Sequence, residues 1–188
     1  MRIILGSASP RRKELLGAMG YEFEVLTADI DESYPEALEN EAIAIFIAAQ
    51  KAKALLPYLN TKTDLLICAD TIVCLENEVL GKPISPDDAK LMLRKLSGKT
   101  HEVFTGVVIQ NQEQKNSFFD RTAVTFKNLY DSEIDYYVDH FKPFDKAGSY
   151  GIQDWIGMVG VEKIEGSYTN VMGLPTCRLN EEIARFIR

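Results

Sequence analysis

The sequence predicts an α/β fold with a mixed, extended sheet flanked by helices, and three observations predict it. A short apolar segment, Arg2–Gly6, is followed at once by a helix start and then by a period-two stretch, Tyr21–Val25. A continuous apolar run, Leu65–Ala69, has the pattern of a strand buried on both faces. Two long strand-like segments, Val103–Ile109 and Phe118–Phe126, stand between helical ones. Strands interleaved with helices must be covered by layers of both kinds.

Taken in order, Arg2–Gly6 reads as a strand, and Ser9-Pro10 supplies an N-cap with proline at the first helical position, opening a helix that Gly20 stops after about Met19. Asp29–Pro35 is an acidic loop. Asn40 is placed to cap a helix through about Leu56, with Ile43, Phe46, Ile47 and Ala54 on its apolar face and Lys51 and Lys53 in its last turns. The run from Leu65 is expected to end at Asp70, putting a carboxylate at the carboxyl end of a buried strand, where ligands of open α/β sheets gather. Ile72–Leu75 and Val79-Leu80 flank Glu76-Asn77-Glu78 as a hairpin, and Gly81-Lys82-Pro83 turns. Ser85-Pro86-Asp87-Asp88 opens another helix with acids at the positive end of its dipole. A second hairpin around Asn111–Asn116, a helix from Asp131 to about His140, a Gly-rich loop Ala147–Gly151, a last strand near Val159–Ile164 and a helix after Pro175 complete the chain.

The 188 residues, with no internal repeat or linker, fit one domain over 1–188, with two lobes around a cleft. With 46% hydrophobic and 26% charged residues the chain can build a core, so disorder is a poor reading. The longest apolar run, Ala42–Ala49, falls far short of a membrane span, and the apolar N-terminal stretch is too short for a secretory signal, so a cytoplasmic location is expected. A formal charge of −7 argues against a broad nucleic-acid surface, and any polyanionic ligand needs its cations locally concentrated. Cys68, Cys74 and Cys177 show no metal-type pairing, and the first two lie in apolar strand-like surroundings.

Several segments bear on chemistry. Ser97-Gly98-Lys99-Thr100 resembles the end of a phosphate-binding loop, but Leu93 stands where the first glycine is required and the order is helix then strand, so a turn explains it. His101 and His140 are too scattered for zinc, and no Gly-x-Ser-x-Gly elbow occurs. Gly6-Ser7-Ala8-Ser9-Pro10-Arg11-Arg12 sets small residues, hydroxyls and two guanidinium groups between a strand and a helix N-terminus, an anion site in outline, against the plainer alternative of a capped helix with solvated arginines. Asp70 and Thr71 follow an otherwise apolar strand, and a buried carboxylate needs a cation, a metal or water. Glu32, among Asp29 and Asp31, is either a ligand of a hard cation such as Mg²⁺ or Mn²⁺ or a solvated loop acid. The segment through Gln153 is either a tight turn or a wrap around a base, with Gln153 offering both a donor and an acceptor.

Together these segments resemble the Maf family of nucleoside triphosphate pyrophosphatases. The resemblance runs through Ser7-Ala8-Ser9-Pro10-Arg11-Arg12, Glu32, Lys51-Ala52, Ala69-Asp70-Thr71, Gly81-Lys82-Pro83, Leu96-Ser97-Gly98-Lys99-Thr100-His101, Asp145-Lys146-Ala147-Gly148, Tyr150-Gly151-Ile152-Gln153 and Val171-Met172-Gly173-Leu174-Pro175. It implies a fold with a central cleft related to the inosine triphosphate pyrophosphatases, and hydrolysis of a nucleoside triphosphate to monophosphate and pyrophosphate with a divalent cation. It also implies that Asp70 is the proton acceptor, that Ser7, Arg12, Lys51 and Lys82 serve the phosphates, and that Glu32 and Asp70 partner metal or water. Arg11, Thr71 and Gln153 stand where the branch acting on 7-methyl-GTP usually has tryptophan, glutamine and glutamate, and so resemble the branch acting on dTTP and UTP. A nucleotide-binding regulator of septum formation and cell division is the alternative that the same resemblance brings. The expected partner is a nucleoside triphosphate, with no nucleic acid and no membrane; the oligomeric state, a homodimer among the options, stays open.

Overall fold

The computed structural model describes residues 1–187. Its seven strands are β1 (Ile3–Leu5), β2 (Glu24–Val25), β3 (Leu65–Leu75), β4 (Glu78–Leu80), β5 (Thr100–Gln110), β6 (Lys115–Phe126) and β7 (Val161–Glu165). The sheet order is β2-β1-β3-β5-β6-β7, with β4 paired to β3. The sheet is mixed: β1 runs parallel to β2 and β3, whereas β4 is antiparallel to β3 and β7 to β6. The helices are α1 (Pro10–Ala18), α2 (Glu41–Leu55), α3 (Pro86–Leu96), α4 (Asp131–Phe141), α5 (Trp155–Gly160), α6 (Tyr168–Met172) and α7 (Thr176–Ile187). The predicted α/β class is therefore the observed one.

The chain divides into two compact units. The first comprises Met1–Asp70, Thr105–Asp120 and Gly173–Arg188, and its core packs Ile4, Leu66, Cys68 and Val108 with Ala48, Ala52 and Leu55 of α2. Ala54, expected on the apolar face of α2, is exposed, and Ala44, Ala48 and Ala52 are buried instead. The second comprises Thr71–Phe104 and Arg121–Met172, with a core of Val73, Leu93, Val103, Phe126, Ile134, Tyr137, Tyr150 and Ile156 among others.

Four local expectations are corrected. The strand begun at Leu65 does not end at Asp70; β3 continues to Leu75, so Asp70 lies mid-strand and the expected hairpin is formed by the end of the same strand with β4. Nothing at Asp70-Thr71 breaks an extended backbone, and β-branched Thr71 favours it. The strand expected over Tyr21–Val25 shrinks to the exposed pair Glu24–Val25. Ser9 and Asn40 sit at the N-caps of α1 and α2, but neither side chain makes a capping bond. Finally, Trp155–Gly160 forms α5 ahead of β7, and α6 forms where no helix was expected. Short helices carry too little periodicity to be seen, and Gly157 and Gly160 lower the apparent propensity of α5. Gly157 is nonetheless required there, since a Cβ would stand 1.9 Å from the Ile152 carbonyl oxygen.

Candidate active site

Six of the site residues predicted above lie in the first unit, and the side chains of five of them form two groups. The first begins where β1 ends. Gly6 donates its N–H to the Ile67 carbonyl at 2.8 Å, an approach so close that a Cβ would meet Cys68 Sγ at 2.3 Å and Leu55 Cδ1 at 2.8 Å. That anchor delivers Ser7, which is buried, to the mouth of α1. The Ser7 hydroxyl accepts from the Ser9 N–H at 3.2 Å and from Arg12 Nη1 at 3.3 Å. Arg12 Nε donates to the Gly173 carbonyl at 2.7 Å, so the guanidinium is held on two sides. Burial lowers the Arg12 pKa from its ordinary value, Asp70 opposes that, and neighbouring Arg11 adds to it.

The second group is centred on Lys51 of α2. Its ammonium nitrogen lies 2.7 Å from Glu32 Oε1 and 2.7 Å from Asp70 Oδ1. Asp70 and Thr71 are the two partly open positions in β3, whose other residues are all buried. The carboxylate that sequence reasoning placed at a strand end is thus reached through a two-residue window in a buried strand. Cys68, on the same strand, has its thiol pushed up to about 12 by burial against the opposing pull of Lys51 and Arg12, so it is an inert thiol despite two cations nearby.

Glu32 and Asp70 fit a hard divalent cation. Both present carboxylate oxygens to one positive centre, at present the Lys51 ammonium. Mg²⁺ is commonly held by one or two carboxylates, with water and substrate phosphates completing its shell. Among the described residues no group of three His, Cys, Asp or Glu side chains converges, so a cage made by protein alone is not what the site offers.

The remaining predicted residues differ in setting. Arg11 follows Pro10 in the first turn of α1, half-buried. Thr71, Lys82 and Gln153 belong to the second unit. Lys82 is exposed in its turn, and the Gly81 carbonyl accepts from the Gly148 N–H at 3.1 Å. Gln153 is half-buried, and its Oε1 is buried with no hydrogen-bond partner. Sequence reasoning missed the Gly173 carbonyl as the seat of Arg12, although the Val171–Pro175 motif was in view; a backbone oxygen leaves no mark in composition. The phosphate-loop reading of Ser97–Thr100 stays excluded: Gly98, at φ 69°, turns the chain after α3, and Ser97 Oγ accepts from the Leu129 N–H at 2.7 Å.

Comparison with known proteins gives the family and the fold. A family model described as "Maf-like protein" matches residues 2–186. A protein of Phocaeicola vulgatus named dTTP/UTP pyrophosphatase is 54% identical over 187 residues, covering 98% of this chain and 95% of its own. One of Bacteroides fragilis with the same name is 52% identical over 183 residues, covering 97% and 94%. Among solved structures, the Staphylococcus aureus Ham1 protein matches over 97% of this chain and all of its own with a TM-score of 0.52 at 14% identity. A HAM1 protein from Coxiella burnetii matches over 96% and 99% with a TM-score of 0.50 at 14% identity. These two likenesses concern the fold alone, which is Ham1-like.

Proposed function

The chain belongs to the Maf family, and from that premise we propose that it is a nucleoside triphosphate pyrophosphatase that converts dTTP and UTP, and related modified pyrimidine triphosphates, to the monophosphate and pyrophosphate. Relatives about half identical over nearly the whole chain carry that name. The observation that carries the reading is the Lys51 ammonium shared at 2.7 Å by Glu32 and Asp70, beside an Arg12 already fixed by Ser7 and Gly173.

In this reading Asp70 takes a proton from the attacking water. The water oxygen bonds to the α-phosphorus, the bond from that phosphorus to the bridging oxygen breaks, and pyrophosphate leaves with the electron pair. Ser7 and Arg12 bind phosphate oxygens, Arg12 as a pre-set fork. Lys51 balances the paired negative charge of Glu32 and Asp70 and adds a cation for the phosphates. Glu32 and Asp70 would hold Mg²⁺ or Mn²⁺, which when bound would neutralise phosphate charge and polarise the reacting centre. Lys82 is assigned to the phosphates, and Arg11, Thr71 and Gln153 to the choice of base. Gln153 suits the imide edge of uracil or thymine, and Arg11 would repel the cationic base of 7-methyl-GTP.

The reading places the enzyme in the cytoplasm with the nucleotide pool; among the described residues no helix is long and apolar enough to cross a membrane. It requires neither nucleic acid nor a second copy. A regulator of septum formation is not favoured, because binding alone gives no use for a carboxylate set to receive a proton. Pyrophosphate release from a triphosphate panel with Mg²⁺ tests the reading. UTP and dTTP are expected to be preferred, and Asp70→Asn to lower turnover by roughly 10²–10⁴-fold. UTP binding without turnover in the wild type, or preference for 7-methyl-GTP, would overturn it.

A further inference from the structure

The turn that carries Gln153 is held by side chains of the second unit, of which Tyr137 and Asp154 lie outside every motif considered above. Tyr137, on α4, is fully buried, and its hydroxyl accepts from the Gly151 N–H at 3.0 Å while donating to Asp154 Oδ2 at 2.7 Å. Asp154 stands at the N-cap of α5, where a carboxylate ordinarily accepts from the helix's own free N–H groups, yet it makes no such bond. It is turned towards Tyr137 instead. Gly151 leaves no slack: a Cβ there would lie 2.6 Å from Asp154 Oδ2 and 2.9 Å from Gln153 Nε2.

The residue before Gly151 is fixed as firmly. The Tyr150 hydroxyl and His101 Nε2 are 2.7 Å apart, and the Phe126 ring packs against both rings at 5.1 Å and 5.5 Å. Gln153 therefore sits between Tyr150-Gly151 and Asp154, each tied to a buried side chain.

This rigidity matters because of what a glutamine amide can read. Uracil and thymine present a donor, N3–H, between two carbonyl acceptors; cytosine presents an acceptor at N3 beside an amino donor. An amide free to rotate by half a turn exchanges its oxygen and nitrogen and serves either base. Only an amide held in one orientation leaves a polar group unpaired against the wrong base, and that is the source of strong discrimination. Gln153 Oε1, buried and without a partner, is an acceptor of the kind that N3–H would satisfy.

We infer that Tyr137, acting through Gly151 and Asp154, is a positioning residue that fixes the orientation of Gln153 and thereby lets the enzyme tell uracil and thymine from cytosine. The inference rests on the reading of Gln153 as the base-facing residue. The experiment compares kcat/KM for UTP and CTP in the wild type, Tyr137→Phe and Gln153→Ala, together with thermal melting of each. Tyr137→Phe keeps the buried ring and is expected to reduce the UTP-to-CTP ratio about tenfold, through a higher KM for UTP with kcat changed by less than about twofold. An unchanged ratio in folded Tyr137→Phe, with both substrates affected alike, would overturn the inference while leaving Gln153 in place if Gln153→Ala still abolishes discrimination. An unchanged ratio in Gln153→Ala would overturn the base reading and the inference together. Should Tyr137→Phe fail to fold, Asp154→Asn, whose amide oxygen still accepts from Tyr137, is expected to keep the ratio and Asp154→Ala to lose it; equal ratios in the two would reject the inference.

Discussion

The two units differ in the chemistry that holds their proposed site residues. In the first, charges meet charges: Lys51 joins Glu32 and Asp70, and Arg12 sits within electrostatic reach of both acids. In the second, the turn around Gln153 is held mainly by hydroxyls, a ring nitrogen and backbone amides, and its charged pair is Asp154 with the Lys146 ammonium 3.8 Å away. His101 there is pushed down to about 4 by burial, and Tyr137 and Tyr150 are pushed well above the usual tyrosine range, so all three stay neutral near pH 7. A phosphate chain is common to every nucleotide and can be gripped by charge; a base is recognised by the direction of its donors and acceptors. Rate and selectivity should therefore respond to separate substitutions.

The largest test of that separation is Lys51→Met. It leaves Glu32 and Asp70 with no ammonium between them, and the expected loss is on the order of 10²–10³-fold in turnover, comparable to removing a preorganised charge from a reacting centre. The UTP-to-CTP ratio should not move. Steady-state kinetics on both substrates checks this, and a selective loss for one base would show that Lys51 also acts on the choice of base.

A smaller effect, in stability, separates them by pH. His101 has an unfolded-state pKa near 6.5 and a folded one near 4, so below 6.5 the unfolded chain binds a proton that the folded one refuses. Stability is therefore complete above about pH 6.5 and is lost as pH falls towards 4, by up to about 3 kcal/mol at roughly 1.4 kcal/mol per unit. His101→Gln, which can still offer an amide nitrogen or oxygen to Tyr150, should lack this loss. Urea unfolding of both proteins at pH 7 and pH 4.5 measures it; parallel falls in the two would show that His101 is not the group responsible.

The two units were unequally legible in the sequence. The first unit's site residues stood out because their chemistry is visible one letter at a time: Arg12 in a small-residue loop, Asp70 after an apolar run, Lys51 near the end of a helix. What stayed hidden was connectivity. That β3 continues past Asp70 follows from backbone pairing with β4, which a polar residue in the sequence disguised as a strand end. The second unit's supports were invisible for a different reason. Tyr137 occupies an apolar position of α4 and reads as ordinary core, and its function depends on a hydroxyl that finds Gly151 and Asp154 only after folding. His101 and Tyr150 lay within motifs of the resemblance, but their pairing across 49 positions did not.

The smallest effect expected here bears on how the charged group is built. Gly6 has no positive φ, so its glycine character serves close approach and not backbone freedom. A methyl group at that position would overlap Cys68 Sγ at 2.3 Å and press on Leu55 Cδ1 at 2.8 Å, both in a packed core with little room to yield. Gly6→Ala should cost about 1–3 kcal/mol by overpacking and should also raise KM for every triphosphate, since Ser7 follows directly and its hydroxyl supports Arg12. Adding Cys68→Ala removes the sulfur that the new methyl strikes, so the double variant should recover part of both losses. Denaturant melts and UTP and CTP kinetics on the single and double variants decide it. A double variant that is no better than the sum of its parts would mean that Gly6 acts through something other than its contact with Cys68.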